Sequence, residues 1–163
     1  MAFEEEPLAR RNPGPSGLVL SDSLSYRLSV LSNTISGRIA EAYADRFGLS
    51  LWQWRVMAVL GEGEPLTASA IATRTAMDKV AVSRAVTALE RSGLVERKAS
   101  ADDRRRQVLR LTANGQQTYA EIAPRVVEFE RSMAVALGRG DRKRLLALLD
   151  ELAAFVSPDA PLW

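Results

Sequence analysis

The sequence predicts a mainly α-helical fold with one small β-hairpin, an α+β class, on three observations. Apolar residues recur at three and four residue intervals over long stretches, as in amphipathic helices. The segments Leu94-Val95-Glu96-Arg97-Lys98 and Gln107-Val108-Leu109-Arg110-Leu111 flank a strongly basic loop and read as a hairpin. Directly before the hairpin, two short helical segments are joined by a tight turn through Thr75, Ala76 and Met77.

Taken in order, residues 1–20 carry three prolines, two glycines and mixed charge without periodicity, which predicts a flexible N-terminal tail. Order is expected from Ser21 or Asp22, either of which can cap a helix. Leu24, Leu28, Leu31, Ile35, Ile39 and Ala42 then mark one helix over 22–47 with a narrow apolar seam. Ser50 and Gln53 have capping-box spacing, so a second helix runs from Leu51 to the turn at Gly61. It is apolar almost all round and is expected to be buried, with Trp52 and Trp54 in the core.

Thr67 caps the first helix of the pair, with Ala70 and Ile71 facing inward, and the second spans 78–92 before a turn at Gly93. After the hairpin, Thr112 caps a helix that continues past Pro124 to about Ala136, with a bend expected at the proline. Gly138 and Gly140 break the chain. Asp141 then caps a last helix with Leu145, Leu146, Leu148, Leu149, Leu152, Ala153 and Val156 on its apolar face. The terminal helices, over 22–47 and 113–156, have more apolar surface than a small domain covers, which suggests burial in a twofold dimer.

Composition narrows the function. Lysine plus arginine number 22 against 20 acidic residues, so the net charge of +2 names no partner by itself. Its distribution does. Between Arg97 and Arg106 five basic residues face only Asp102 and Asp103, a footprint suited to nucleic acid. Cysteine and histidine are both absent, which removes disulfides, thiolate nucleophiles, imidazole bases and the zinc sites built on them. No cofactor or metal is expected. Neither a secretory signal nor a run of about 18 apolar residues is present, so the expected location is cytoplasmic, away from membranes.

Two helices at a steep angle followed by a charged hairpin form a winged helix-turn-helix, here over about 50–112 within a domain of 21–157. In such a unit the second helix enters the DNA major groove. Val82, Ala85, Val86 and Leu89 form its inward face, leaving Lys79, Ser83, Arg84 and Thr87 as candidate contacts to bases and phosphates. Thr67 joins them on the helix that crosses the DNA backbone. Arg104, Arg105 and Arg106 at the hairpin tip suit a minor groove, whose negative potential favours guanidinium groups. Asp102 or Asp103 can orient one of these arginines by a bidentate pair.

Asp103-Arg104-Arg105, followed after five residues by Leu111-Thr112 and then Gly115, resembles the wing signature of the MarR family of bacterial transcription regulators. Leu89-Glu90, Gly93-Leu94-Val95 and Arg97 fit the same pattern, and the resemblance spans about 26–156. It implies a triangular homodimer whose N- and C-terminal helices form the interface, with a winged domain at each lower corner. By that resemblance Asp103 pairs with Arg105 or braces the loop, and Arg105 reaches the minor groove. It further implies a repressor of a palindromic operator, released when a small molecule, often an aromatic acid, binds between dimer helices and winged domain. Tyr26, Arg27, Trp52 and Arg55 are the candidate ligand residues. Without cysteine, the thiol switch of some relatives cannot operate.

The rival readings are weaker. An enzyme would need paired carboxylates or another nucleophile in a cleft, and no such pattern is present. A winged module serving protein contacts without DNA binding conflicts with the basic tip. RNA binding lacks stacking aromatics on the hairpin and on the second helix of the pair.

Overall fold

The computed structural model describes residues 19–99 and 106–157. The tail expected over 1–20 lies outside the described residues as far as residue 18, and so does the hairpin tip at 100–105. Two compact units divide the chain, 1–38 and 39–163.

In the first unit a 3₁₀ turn, Leu20–Asp22, leads into α1, Leu24–Ala40. The cap falls on Ser23, whose hydroxyl accepts from the Tyr26 amide at 3.4 Å, rather than on Ser21 or Asp22. Those two are taken up in the preceding turn. Leu24, Leu28 and Leu31 of the expected seam are all exposed.

The helix expected to reach residue 47 stops at Ala40, and a turn precedes α2, Ala44–Phe47. Tyr43 leaves helical geometry (φ −137°) and its ring is fully buried, stacked on Trp54 at 5.4 Å. Burying such a ring is worth about 1.5–3 kcal/mol.

The α3 helix, Leu51–Leu60, opens on the expected capping box, with Ser50 N donating to Gln53 Oε1 at 2.7 Å and Gln53 N to Ser50 Oγ at 3.3 Å. Trp54, Val56, Met57 and Leu60 are buried. Trp52 is not. At 46% exposed it corrects the expectation that both tryptophans lie in the core.

Thr67 caps α4, Ala68–Thr75, by accepting from the Ala70 amide at 3.1 Å. Ile71 is buried as expected, whereas Ala68 and Ala72, not Ala70, pack beside it on the core. The turn passes through Ala76 at φ 51° to Asp78, which caps α5, Lys79–Arg91, by accepting from Ala81 N at 2.8 Å. Val82, Ala85, Val86 and Leu89 are all buried, so the inward face is the one that the periodicity assigns.

Strands β1, Val95–Ala99, and β2, Gln107–Leu111, pair antiparallel in the register Val95↔Leu111, Arg97↔Leu109 and Ala99↔Gln107. Leu66 adds a bridge to Leu109, through N–H···O bonds of 3.0 and 2.8 Å, that was not expected from sequence. Thr112 caps α6, Ala113–Leu137, which continues as one helix through Pro124. The last helix, α7, spans Arg139–Val156 and starts two residues before the expected Asp141 cap. Gly138, at φ 74° and ψ 158°, takes the cap position in a backbone region that glycine alone enters readily, and Gly140 and Asp141 fall inside the first turn. No residue of α7 is buried, and Leu145, Leu146, Leu148 and Phe155 are exposed.

The core of the second unit thus lies under α3, α4, α5 and the hairpin, closed by Ile122 of α6. No helix among the described residues is long and apolar enough to cross a membrane, and none of their side chains form a metal-binding group.

Candidate nucleic-acid interface

Asp78 starts α5 and four buried apolar side chains hold it down, so its opposite face is fixed in direction. Lys79, Ser83, Arg84 and Thr87 are all exposed on it. Residues spaced i, i+4, i+7 and i+11 share one helix stripe. On α5 that stripe is Val80, Arg84, Thr87 and Arg91, each exposed, and Lys79 and Ser83 flank it. Val80 was missed from sequence because it is apolar, and Arg91 because it lies at the far end of α5. The same periodicity that placed Val82 and Val86 inward would have found them.

Thr67 is half-buried, and its oxygen is engaged by the Ala70 amide. Its hydroxyl proton remains able to donate to a phosphate. Asp103, Arg104 and Arg105 lie outside the described residues, whereas Arg106 is exposed at the entry to β2.

The other basic residues of the hairpin are not a free cationic patch. Arg97 Nε donates to Glu90 Oε1 at 3.3 Å, tying β1 to the end of α5. Glu96 receives Arg110 Nε at 2.6 Å and Lys98 Nζ at 3.3 Å. The Arg110 hydrogen bond, joined by that of Lys98, holds the Glu96 carboxyl below the usual glutamate range. Arg97 and Lys98, counted from sequence in the basic excess, are each paired with a carboxylate, and Glu96 serves both Lys98 and Arg110. Arg74 and Glu62 form a further pair beside α4, and Arg46 and Glu121 join α2 to α6.

Of the ligand candidates, Tyr26 and Arg27 are exposed on α1 in the first unit. Trp52 and Arg55 share α3 in the second, with the Arg55 guanidinium 5.3 Å from the Trp52 ring centroid in a cation–π contact. Trp52, Gln53, Arg84 and Ala88 help line a cleft of about 250 Å³ between α3 and α5. A larger cleft, about 490 Å³, lies between Gly61, Pro65, Glu96, Arg110 and Tyr119.

Behind these surfaces Tyr43, Trp54 and Tyr119 stack in sequence, with centroids 5.4 and 5.9 Å apart. The buried Tyr43 hydroxyl has no hydrogen-bond partner among the described residues. Burial pushes its pKa up, against the opposing charge of Arg55.

Comparison with known proteins agrees with this geometry. The model of the MarR family matches residues 47–106, which hold α3 to α5 and the hairpin up to its tip. The HTH-type transcriptional regulator FarR of Neisseria gonorrhoeae is 35% identical over 101 residues, 62% of this chain and 69% of FarR. The homoprotocatechuate degradative operon repressor of Escherichia coli is 28% identical over 109 residues, 67% of this chain and 74% of the repressor. The crystal structure of NadR in complex with 4-hydroxyphenylacetate superposes with a TM-score of 0.69 at 28% identity, covering 80% of this chain and 92% of NadR. An exposed polar face on α5, a paired hairpin and these relatives together place the chain in the MarR family, as a winged helix-turn-helix DNA-binding transcriptional regulator.

Proposed function

We propose that the protein is a cytoplasmic homodimeric repressor that binds a palindromic operator and leaves it when a small-molecule effector, with aromatic compounds among the candidates, binds. The observation that carries the DNA-reading part is the outward face of α5, where Arg84 and Thr87 stand exposed one turn apart with Lys79 and Ser83 beside them. Arg84 donates to guanine O6 and N7, and Lys79, Ser83 and Thr87 to bases and phosphates. Thr67 holds the backbone beside α4. Arg104, Arg105 and Arg106 enter the minor groove, with Asp103 bracing the loop.

The exposed apolar side chains of α1 and of α7 support dimerisation, since each helix carries leucines that its own unit leaves in water. In the dimer the two α5 helices occupy successive major grooves, about 34–36 Å apart or a multiple of that. Trp52 and Arg55 on α3 contact the effector, and Tyr26 and Arg27 on α1 are further candidate contacts. The cation–π pair of Arg55 and Trp52 supports it, as does the aromatic acid bound to NadR. An effector that prefers a different spacing of the α5 helices by about 1–3 kcal/mol suffices to shift the population off DNA.

Selection of bound duplexes from a random pool, followed by titration at several salt concentrations, tests this. The expected winner is a palindrome bound by a dimer with affinity falling steeply as salt rises. Weak binding of every duplex alike, with no sequence enriched, would refute it.

A further inference from the structure

Val80 is the apolar member of the outward stripe on α5. It is 59% exposed, whereas Val82 and Val86 of the same helix are 1% exposed. A valine in that position gains little from burial and, being β-branched, loses rotamer freedom in a helix. Lysine or glutamine would suit a merely solvated helix face better. Val80 is also the second residue of α5, and the N-terminal residues of a recognition helix are those that contact base edges. Of the groups that the major groove displays, the apolar one is the C5-methyl of thymine.

We propose that Val80 is a specificity-determining residue that packs against a thymine methyl in each half-site and so selects an A·T pair. The contact takes both apolar surfaces out of water and gives the exposed valine its partner. Arg84 lies four residues further on, about 6 Å along the axis at about 1.5 Å per residue. Base pairs are stacked about 3.4 Å apart, so a guanine read by Arg84 lies one or two pairs from this thymine. The inference rests on α5 being the helix that enters the groove.

The test uses an operator obtained by selection, with each thymine replaced singly by deoxyuridine. That exchange removes the methyl and leaves the Watson–Crick edge intact. Wild-type protein is expected to bind about fourfold more weakly when the contacted thymine of one half-site is exchanged, the value of one buried methyl. Val80→Ala is expected to bind the thymine operator more weakly and to be indifferent to the same exchange. Alanine is the stronger helix former, so the variant keeps its fold, which circular dichroism checks. Equal responses of wild type and Val80→Ala to every exchange would overturn the contact while leaving α5 as the reading helix. Failure of the wild type to enrich any duplex would remove the groove-binding assignment and this contact with it.

Discussion

Gly115→Ala probes the seam that fixes the hairpin against α6. Gly115 is a buried residue of the first turn of α6, and a Cβ built there would lie 2.0 Å from the Leu94 carbonyl oxygen and 3.3 Å from Leu111 Cβ. That carbonyl is not free to retreat. It accepts from Thr112 N at 3.0 Å, and Leu94 N donates to Leu89 O at 2.9 Å, which ties the residue to the end of α5. Overpacking costs about 1–3 kcal/mol, and a clash with anchored backbone belongs at the upper end, about 3 kcal/mol. Alanine returns about 1 kcal/mol of helix propensity over glycine, for a net loss of about 2 kcal/mol. In a chain of this size each kcal/mol moves Tm by about 2–4 °C, so Gly115→Ala is expected to melt about 4–8 °C below wild type. Thermal unfolding followed by circular dichroism measures it. A raised Tm would mean that helix propensity outweighs the contact, and that α6 does not press on the hairpin as described.

Further outcomes follow from the same geometry. Arg84→Ala is expected to lose about 1–3 kcal/mol of specific DNA binding and to relax preference at one base pair per half-site, read by repeating the selection with the variant. Arg97→Ala breaks a half-exposed ion pair and is expected to cost no more than about 1 kcal/mol in denaturant unfolding. Tyr43→Phe removes a buried hydroxyl without a partner among the described residues and is expected to leave Tm unchanged or raised. A marked fall would reveal a hydrogen bond to that oxygen. Because the folded-state pKa of Glu96 is depressed, its contribution is present above the ordinary glutamate range and is lost as pH falls through the lower, folded value. The Tm difference between wild type and Glu96→Gln should therefore shrink as pH falls through the acid range, and a difference independent of pH would discount the Arg110 and Lys98 contacts.

What the sequence made legible were features with a local cause. Ser50, Thr67 and Thr112 announce helix starts because a side-chain oxygen satisfies a nearby amide, and the inward row of α5 follows from helical period alone. The break before Tyr43 was not legible, since it depends on the Tyr43 ring stacking on Trp54 of α3. Leu66 pairs with Leu109 as a single residue, too short for any periodic signal. Trp52 and Trp54 are separated by one residue on α3, and only the packing of neighbouring helices decides that the second is buried and the first half-exposed. At the interface, charge counting overstated Arg97 and Lys98, whose carboxylate partners are Glu90 of α5 and Glu96 of β1 itself. Choosing by polarity passed over Val80.

The central claim is that α5 reads DNA from the major groove, and methylation interference on the selected operator tests it most directly. Dimethyl sulfate methylates guanine N7 in the major groove and adenine N3 in the minor groove, so one experiment distinguishes the two faces. The account predicts that N7 methylation blocks binding at two guanine clusters about one helical turn, or a multiple of it, apart. Arg84→Ala should abolish that interference. Interference confined to adenine N3, or identical patterns for wild type and Arg84→Ala, would contradict it.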